Sequence, residues 1–568
     1  MLAPVMRQLE ALARDCGVQT EYVDAFGAVR RASPDALVAV IRALGEDLAS
    51  PDDAGRVLLD RARRRAARRL PPVIVAWDGR ADVDAPGPAE LVCEDGGVRP
   101  VTGAPLALRD LPIGYHALVA GGERAHVIAA PSRCHEPPAG ERTWGVFAPL
   151  YALRSARTRV HGGADLTDLA HCIDWVRGLG GSVVGTLPLL AAFPDEPSPY
   201  LPVSRRFWNE LYLDLSAVPE IDALPEAFVR SAAALDAAGE VDYPGLHAAR
   251  EPLLRDAARR LWASASPRRD AFERWRAATP LADAYAAFRA GGDEDARRYH
   301  LYVQWLCREQ LAALAGRGLY LDLPVGVHPR GFDAVREADA FAAGVSVGAP
   351  PDPLFAGGQD WTVPALHPER SRRTGHRYFA ECVRAHAEFA RVLRIDHVMG
   401  LFRRFWIPRG FPATEGVYVR MPADELVAVV CVESYRHRCA IVGEDLGTVE
   451  PAVRDEMARR GLRRMYVAQL APDDPVPPGC VASLNTHDTP PFAAACPGAD
   501  IGDAIARLAA SEAWAVLVSL EDLWGETRPQ NVPGTGRERP NWRRKMARAI
   551  DEAAADPACA ALLARARR

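Results

Sequence analysis

Arg391-Val392-Leu393-Arg394-Ile395-Asp396-His397 and Ala440-Ile441-Val442-Gly443-Glu444-Asp445 decide the fold. Each is a short, mainly apolar run that ends in a carboxylate. A run of this kind suits a strand buried on both faces, as in a parallel sheet; a half-exposed strand would alternate. Working outward, six more such runs recur. The candidate strands are 145–150, 182–187, 319–323, 391–395, 440–443, 465–470, 481–484 and 515–519. Helical patterns separate them. Eight buried strands alternating with helices predict an α/β fold, a (β/α)8 TIM barrel of parallel strands.

The barrel pattern occupies 141–568 of the 568 residues. That is long for this fold. The excess is a large insertion around 188–318, Ala-, Leu- and Arg-rich over 226–317, which reads as helical. Two regions precede the barrel. Residues 1–65 read as helical: Ser33-Pro34 supplies an N-cap and a first-turn proline, Leu37, Val40, Ile41 and Leu44 form one apolar face, and Gly45 is a natural stop. Residues 66–140 change character. Short β-rich runs alternate with Gly, Pro and Asp turns, which predicts antiparallel strands in a small sandwich-like domain. Residues 134–142, with Pro137-Pro138, read as a linker.

Composition bounds the partners. Hydrophobic content of 49% and charged content of 25% are ordinary for a globular chain. No run of 18 apolar residues and no basic-then-apolar leader is present, so a cytoplasmic protein without membrane partners is expected. A net charge of -5 argues against a dedicated nucleic-acid binder. Lys545 is the one lysine; every other side chain in the Lys+Arg total of 69 is arginine. The arginine run at 61–69 reads either as a phosphate-binding patch or as a solvated helix end, and the arginine bias favours the second. Eleven cysteines without a CxxC pair predict reduced thiols, not a disulfide frame or a zinc site.

In such a barrel the chemistry lies at the C-terminal ends of the strands. There the third candidate strand carries Asp322, the fourth Asp396-His397, the fifth Glu444-Asp445 and the seventh His487-Asp488. One strand-end aspartate is usually a helix cap or turn former. Four acids on four strands fit a retaining glycosidic mechanism, in which one carboxylate attacks the anomeric carbon and a second, about 5 Å away, serves as acid and then base. Arg394 would keep the attacking carboxylate ionised and oriented. A third carboxylate and a histidine would hold sugar hydroxyls.

Arg394-Ile-Asp396-His397, Gly443-Glu444-Asp445-Leu446-Gly447 and Thr486-His487-Asp488 resemble regions II, III and IV of the α-amylase clan. More closely, the chain resembles the 4-α-glucanotransferases (amylomaltase or disproportionating enzymes, glycoside hydrolase family 77). Further matches are Leu150-Tyr151-Ala-Leu-Arg154-Ser155, Ser198-Pro-Tyr200, Gly358-Gln359-Asp-Trp361, and Gln530-Asn531-Val-Pro-Gly534-Thr535 with Pro540-Asn541-Trp542. The resemblance covers Trp144 to about Arg544. It implies Asp396 as nucleophile, Glu444 as acid/base and Asp488 as transition-state stabiliser, with Asp445 structural. It also implies substrate contacts from Arg394, His487, Asp322, Tyr200, Gln359, Trp361, His397 and Asn531. It implies no cofactor and no metal, and maltooligosaccharides or starch- or glycogen-type glucans as substrates. Three stretches depart from the family pattern: Thr362 follows Trp361 where glycine is common, His161-Gly-Gly-Ala-Asp165 replaces Gly-Ile-Gly-Asp, and Thr489-Pro490-Pro491-Phe492 follows Asp488.

Transfer and hydrolysis share the glycosyl-enzyme intermediate, so the carboxylates alone leave an amylase-type α-glucan hydrolase as the alternative. A non-catalytic glucan-binding protein is the second alternative. Transfer requires that a sugar acceptor outcompete water. Tyr200, Trp361 and Trp406 are candidate stacking platforms for that purpose. In the β-rich region Trp77 is either a glucan platform or, more commonly for a lone strand tryptophan, core.

Overall fold

A computed structural model describes residues 2–568 other than Pro86 and Arg537. Its main sheet has eight strands: β1 (Thr143–Phe147), β2 (Val183–Gly185), β3 (Leu319–Leu323), β4 (Val392–Ile395), β5 (Ala440–Gly443), β6 (Met465–Val467), β7 (Val481–Ser483) and β8 (Ala515–Ser519). The hydrogen-bonded order is β5-β4-β3-β2-β1-β8-β7-β6. First and last strands are neighbours, and β1–β2, β2–β3, β1–β8, β7–β8 and β6–β7 all pair in parallel. This is the (β/α)8 barrel, and each of the eight candidate strands overlaps one observed strand. Every residue of β3, β4, β5 and β7 is buried, which is why their sequences run apolar instead of alternating. In β1, a Cβ on Gly145 would stand 1.8 Å from the Val183 carbonyl oxygen, so only glycine allows this approach of β1 to β2.

By packing, the chain divides into two compact units. One comprises Met1–Pro137, Val325–Ala387 and Ile395–Leu462; the other comprises Pro138–Pro324, Glu388–Arg394 and Arg463–Arg568.

In the first unit, helices Leu2–Asp15, Pro34–Ala43 and Ala54–Ala66 come early. The Ser33 hydroxyl accepts from the Ala36 amide at 3.2 Å, and Leu37, Val40 and Ile41 are buried. The expectation that 1–65 is helical throughout needs correction. Glu21–Val23 and Val29–Arg31 form a two-stranded antiparallel ribbon, turned by Asp24, whose carboxylate accepts from the Phe26 and Ala28 amides, and by Gly27 at φ +79°. The β-rich region forms a five-stranded sheet and a two-stranded one. Leu70, Ile74 and Leu118 share a core with Val83, Leu106 and Leu108 of the small sheet. Its pairings are antiparallel except one: Val73–Trp77 runs parallel to Glu123–Ala130. These two strands lie far apart in the chain, so no hairpin forces them antiparallel.

Trp77 serves neither of the roles weighed for it. Its Nε1 donates to Asp424 at 3.1 Å, and the Arg460 guanidinium covers its ring at 3.4 Å from the centroid. The N-terminal regions dock on the later part of this unit through Tyr115, whose hydroxyl donates to the buried Glu433 of helix Ala423–His437 at 2.6 Å, and through Arg61, whose Nη2 donates to Glu369 at 2.8 Å. The same unit holds a four-stranded antiparallel sheet that the sequence reading missed. Its order is Gln359–Leu366, Phe341–Ala349, Arg403–Pro408, Val417–Arg420. Trp406 lies within it and is fully buried, so it is core and not a sugar platform.

The second unit contains the long insertion. Helices Glu226–Ala237, Tyr243–Ala263, Pro267–Ala278, Pro280–Ala290 and Glu294–Ala312 fill 226–317, as the composition predicted. Ser266 caps one of them by accepting from the Arg269 amide, with Pro267 at its first position. Their core is aromatic: Phe272 meets Trp262 and Trp305 edge-on at 4.7 and 5.4 Å, and Phe207 stacks on Tyr285 at 4.1 Å. Such pairs contribute roughly 0.5–1.5 kcal/mol each beyond their burial.

Candidate active site

Barrel geometry predicts that residues just past strand ends carry the chemistry, and the sequence-predicted residues fall into two groups, one in each unit. In the second unit six of them form a single hydrogen-bonded network. Asp322 lies within β3 and is 3% exposed. Arg394, the third residue of β4, sends Nη1 to both Asp322 carboxylate oxygens at 2.8 Å. The Tyr200 hydroxyl donates to Asp322 Oδ2 at 2.7 Å. Having spent its proton there, Tyr200 accepts from His487 Nε2 at 3.0 Å. The same nitrogen faces Asp488 Oδ2 at 3.1 Å, and Asn531 Nδ2 donates to Asp488 Oδ1 at 2.7 Å.

The electrostatics follow from these contacts. The Asp488 side chain reaches water, at 47% exposure, yet its surroundings are dense. Desolvation alone would raise its carboxyl; the charge and hydrogen bond of His487, the Asn531 amide and the Arg394 charge outweigh it and lower the carboxyl to about 2. His487 moves the other way. Burial favours the neutral ring, but the Asp488 charge and hydrogen bond prevail and raise its pKa. Asp488 is therefore a fixed anion, held by two donors, with its exposed side available to hydroxyl groups.

Aromatic rings frame this network. Tyr200 stacks on His487 at 5.2 Å and 23°, Phe147 stacks on His487 at 6.0 Å, and Trp542 meets both Tyr200 and His487 at 5.6 and 5.8 Å. Phe147 and Trp542 were not among the sequence-predicted site residues. Trp542 follows Asn541, whose side chain ties the loop by accepting from the Val532 amide and donating to Thr535 Oγ1. Deeper, the Tyr151 hydroxyl donates to Gln530 Oε1 at 2.7 Å, next to Asn531 in sequence.

The first unit holds the other group. Asp396 follows β4 directly, and His397 adopts the left-handed conformation, φ 48° and ψ 63°. That turn directs two successive amides at the residue after β5: His397 N–H donates to Glu444 Oε2 at 2.9 Å, and Val398 N–H donates to the Glu444 carbonyl at 3.0 Å. The Leu446 amide donates to Glu444 Oε1 at 2.8 Å. Both carboxyl oxygens of Glu444 are thus oriented by backbone. Its neighbour Asp445 is buried and paired with Arg454 Nε at 3.2 Å, which suits a structural part. Burial pushes the His397 imidazole down to about 4, against the pull of the Asp396 charge, so the ring is neutral at pH 7. Trp361 meets that ring edge-to-face at 5.2 Å, and its Nε1 donates to Gln359 Oε1 at 3.3 Å. Gln359 and Trp361 open the outer strand of the four-stranded sheet, and Thr362 beside them has φ 58°.

The second unit also contains a buried trio that sequence spacing did not reveal: His161, Asp165 and Asp214 offer ligand atoms within 4.8 Å of one another. Arg157 occupies the same carboxylates, with Nη2 at 2.7 Å from Asp214 and 3.3 Å from Asp165. Its guanidinium supplies the charge that a cation would bring.

The 4-alpha-glucanotransferase family model matches residues 148–298, 291–496 and 495–551. Among curated proteins, the 4-alpha-glucanotransferase of Mycobacterium tuberculosis is 33% identical over 95% of this chain and 94% of its own length. That of Haemophilus influenzae is 32% identical over 68% of this chain and 65% of its own. Among solved structures, amylomaltase from Corynebacterium glutamicum superposes with a TM-score of 0.90 at 26% identity, covering 99% of this chain and 100% of that one. Amylomaltase from Streptococcus agalactiae, in complex with acarbose, gives 0.64 at 18% identity over 75% of this chain and 98% of that one, a likeness of fold.

Proposed function

This chain belongs to the 4-alpha-glucanotransferase family and is a retaining 4-alpha-glucanotransferase, and on that premise we propose how its residues divide the work and which glucans it takes. Asp396 attacks the anomeric carbon of the donor glucan while Glu444 protonates the departing 4-oxygen. A β-linked glycosyl–Asp396 ester results. Glu444, now a carboxylate, takes the proton of an acceptor 4-hydroxyl, which attacks the same carbon and expels Asp396. Two inversions leave the α-1,4 linkage intact. One such bond replaces another, so exchange is close to isoenergetic and needs no nucleotide donor.

The observation that carries the assignment of Asp488 is its hold by His487 and Asn531, which makes it a permanent anion aimed at sugar hydroxyls. Asp322 and Arg394 would bind the sugar beside the scissile bond, with Tyr200 linking them to His487. Backbone amides hold both carboxyl oxygens of Glu444, which supports its serving as the acid of the first step and the base of the second. Gln359 and Trp361 would line the donor and acceptor cleft.

Maltooligosaccharides are the proposed donors and acceptors, with starch- or glycogen-type chains as longer substrates. A cytoplasmic location is proposed on the state of the thiols: none of the eleven cysteines is in a disulfide, Cys134 and Cys431 included, whose sulfurs are 3.6 Å apart. Among the described residues no helix is long and apolar enough to cross a membrane. Incubation with maltotriose tests the reading. Glucose and a ladder of longer oligosaccharides are expected; products that are only shorter, with rising reducing ends, would identify a hydrolase. Asp396→Asn should lower turnover by about 10³-fold or more, and a variant as active as the parent would remove Asp396 from its role.

A further inference from the structure

We propose that the first unit carries a second binding site, distinct from the glucan site, for a small polyanion bearing two or more phosphoryl groups. The site is a cavity of about 1280 Å³ lined by the C-terminal end of helix Ala54–Ala66, the segment 68–72, helix Phe332–Arg336 and the stretch after strand Gln359–Leu366. Ten of its twenty-two lining residues are arginine, in a chain where arginine is about one residue in eight. Four are acidic. Composition alone would supply about three arginines to a surface of that size, so the bias of the sequence does not account for it.

The arginines divide by what they already do. Arg61 is buried at the base and tied to Asp15, Glu46 and Glu369; Arg64 pairs with Glu46 and Arg65 with Asp15. Arg372 forms a two-pronged pair with Glu425, and Arg377 reaches Glu337. These build a rigid frame. Among the described residues no carboxylate lies within ion-pair distance of Arg68, Arg69, Arg336, Arg370 or Arg373. Against those five stands one lining carboxylate outside any such pair, Asp339. Four of the five are exposed and come from three separated stretches of the chain. The positive potential they create is felt by His367, buried in the same wall: burial first, then Arg370, push its imidazole down to about 4. A concave surface lined by one sign of charge concentrates counter-ions, and planar guanidinium groups bind phosphoryl oxygens two at a time. The overall charge of -5 and the concave form favour a small ligand over a nucleic-acid strand or a lipid surface.

Isothermal titration of the full chain with tripolyphosphate, ATP and inorganic phosphate, without divalent cations, tests the site. One saturable site per chain is expected for tripolyphosphate or ATP, with orthophosphate at least tenfold weaker. Equal affinity for the first two would mean that the phosphate chain alone is read; tighter ATP would mean that the organic body is held too. The pairs Arg68→Gln/Arg69→Gln and Arg336→Gln/Arg373→Gln should each weaken binding at least tenfold and leave the melting temperature and the maltotriose reaction unchanged. Arg259→Gln/Arg260→Gln, at exposed positions of helix Tyr243–Ala263 in the other unit, should leave binding unchanged. Absence of saturable binding, equal loss in the Arg259/Arg260 control, or binding confined to RNA or anionic vesicles would overturn the proposal.

Discussion

Tyr200 has one proton to give, and it gives it to Asp322, so its oxygen is left to accept from His487. Removing that hydroxyl should uncouple the Asp322–Arg394 pair, proposed to bind sugar, from Asp488 while sparing the stacked ring. Tyr200→Phe is expected to lower kcat/KM on maltotriose by about 10–100-fold, the usual cost of a hydrogen bond to a charged group, as steady-state kinetics would show. The His487–Asp488 pair also predicts how stability follows pH. The His487 pKa is raised above its ordinary 6.5, so its contribution is complete below that value and fades as pH climbs through the raised one. Asp488 is lowered from 3.8 to about 2, so its contribution is present above 3.8 and disappears only as pH falls toward 2. Both are in force near pH 5. Asp488→Asn should therefore lower the melting temperature most near pH 5 and least near pH 9; calorimetry giving the same loss at every pH would refute the coupling. Asp396 and Glu444 stood out in the sequence because each directly follows an apolar run, and Asp322 because it interrupts one. Phe147 and Trp542 did not, because a ring that shields a histidine through tertiary contact leaves no local pattern.

The barrel strands could be read as elements because burial on both faces writes itself as an apolar run. The four-stranded sheet could not. Strand Gln359–Leu366 alternates exposed and buried residues only in part, and its partner Phe341–Ala349 is broken by register shifts after Ala342 and Val347. Yet this sheet carries Gln359 and Trp361. Thr362, directly after Trp361, holds φ 58°, a left-handed backbone that a β-branched residue adopts at a cost of roughly 1–2 kcal/mol. Thr362→Gly is expected to relieve that strain and raise stability by about 0.5–1 kcal/mol, net of the extra freedom glycine gains when unfolded; a lower midpoint in urea would contradict it. The reverse holds in β1. Gly145→Ala would drive a methyl group into the Val183 carbonyl, so a loss of more than about 3 kcal/mol, or failure to accumulate as folded protein, is expected.

The N-terminal 137 residues belong, by packing, to the same unit as Asp396 and Glu444. Their role was not legible in the sequence, since docking depends on long-range pairs such as Tyr115–Glu433, Trp77–Asp424 and Arg436–Glu94, more than 300 residues apart. Deleting 1–137 would uncover helix Ala423–His437 and take the Tyr115 hydrogen bond from a fully buried carboxylate. The truncated chain should partition into the insoluble fraction, whereas a soluble, cooperatively melting product would show that the rest of the unit stands alone. In a molecule of 568 residues, one backbone contact offers a view of the chemistry that bulk kinetics lacks. The His397 amide donates to Glu444 Oε2, so its proton resonance must shift when that carboxyl gains or loses charge. With 14 histidines in the chain, selective ¹⁵N labelling leaves few enough signals for one to be assigned by Glu444→Gln. That signal would report whether Glu444 changes charge as the proposed acid-to-base exchange requires, in the resting enzyme and again after maltotriose is added.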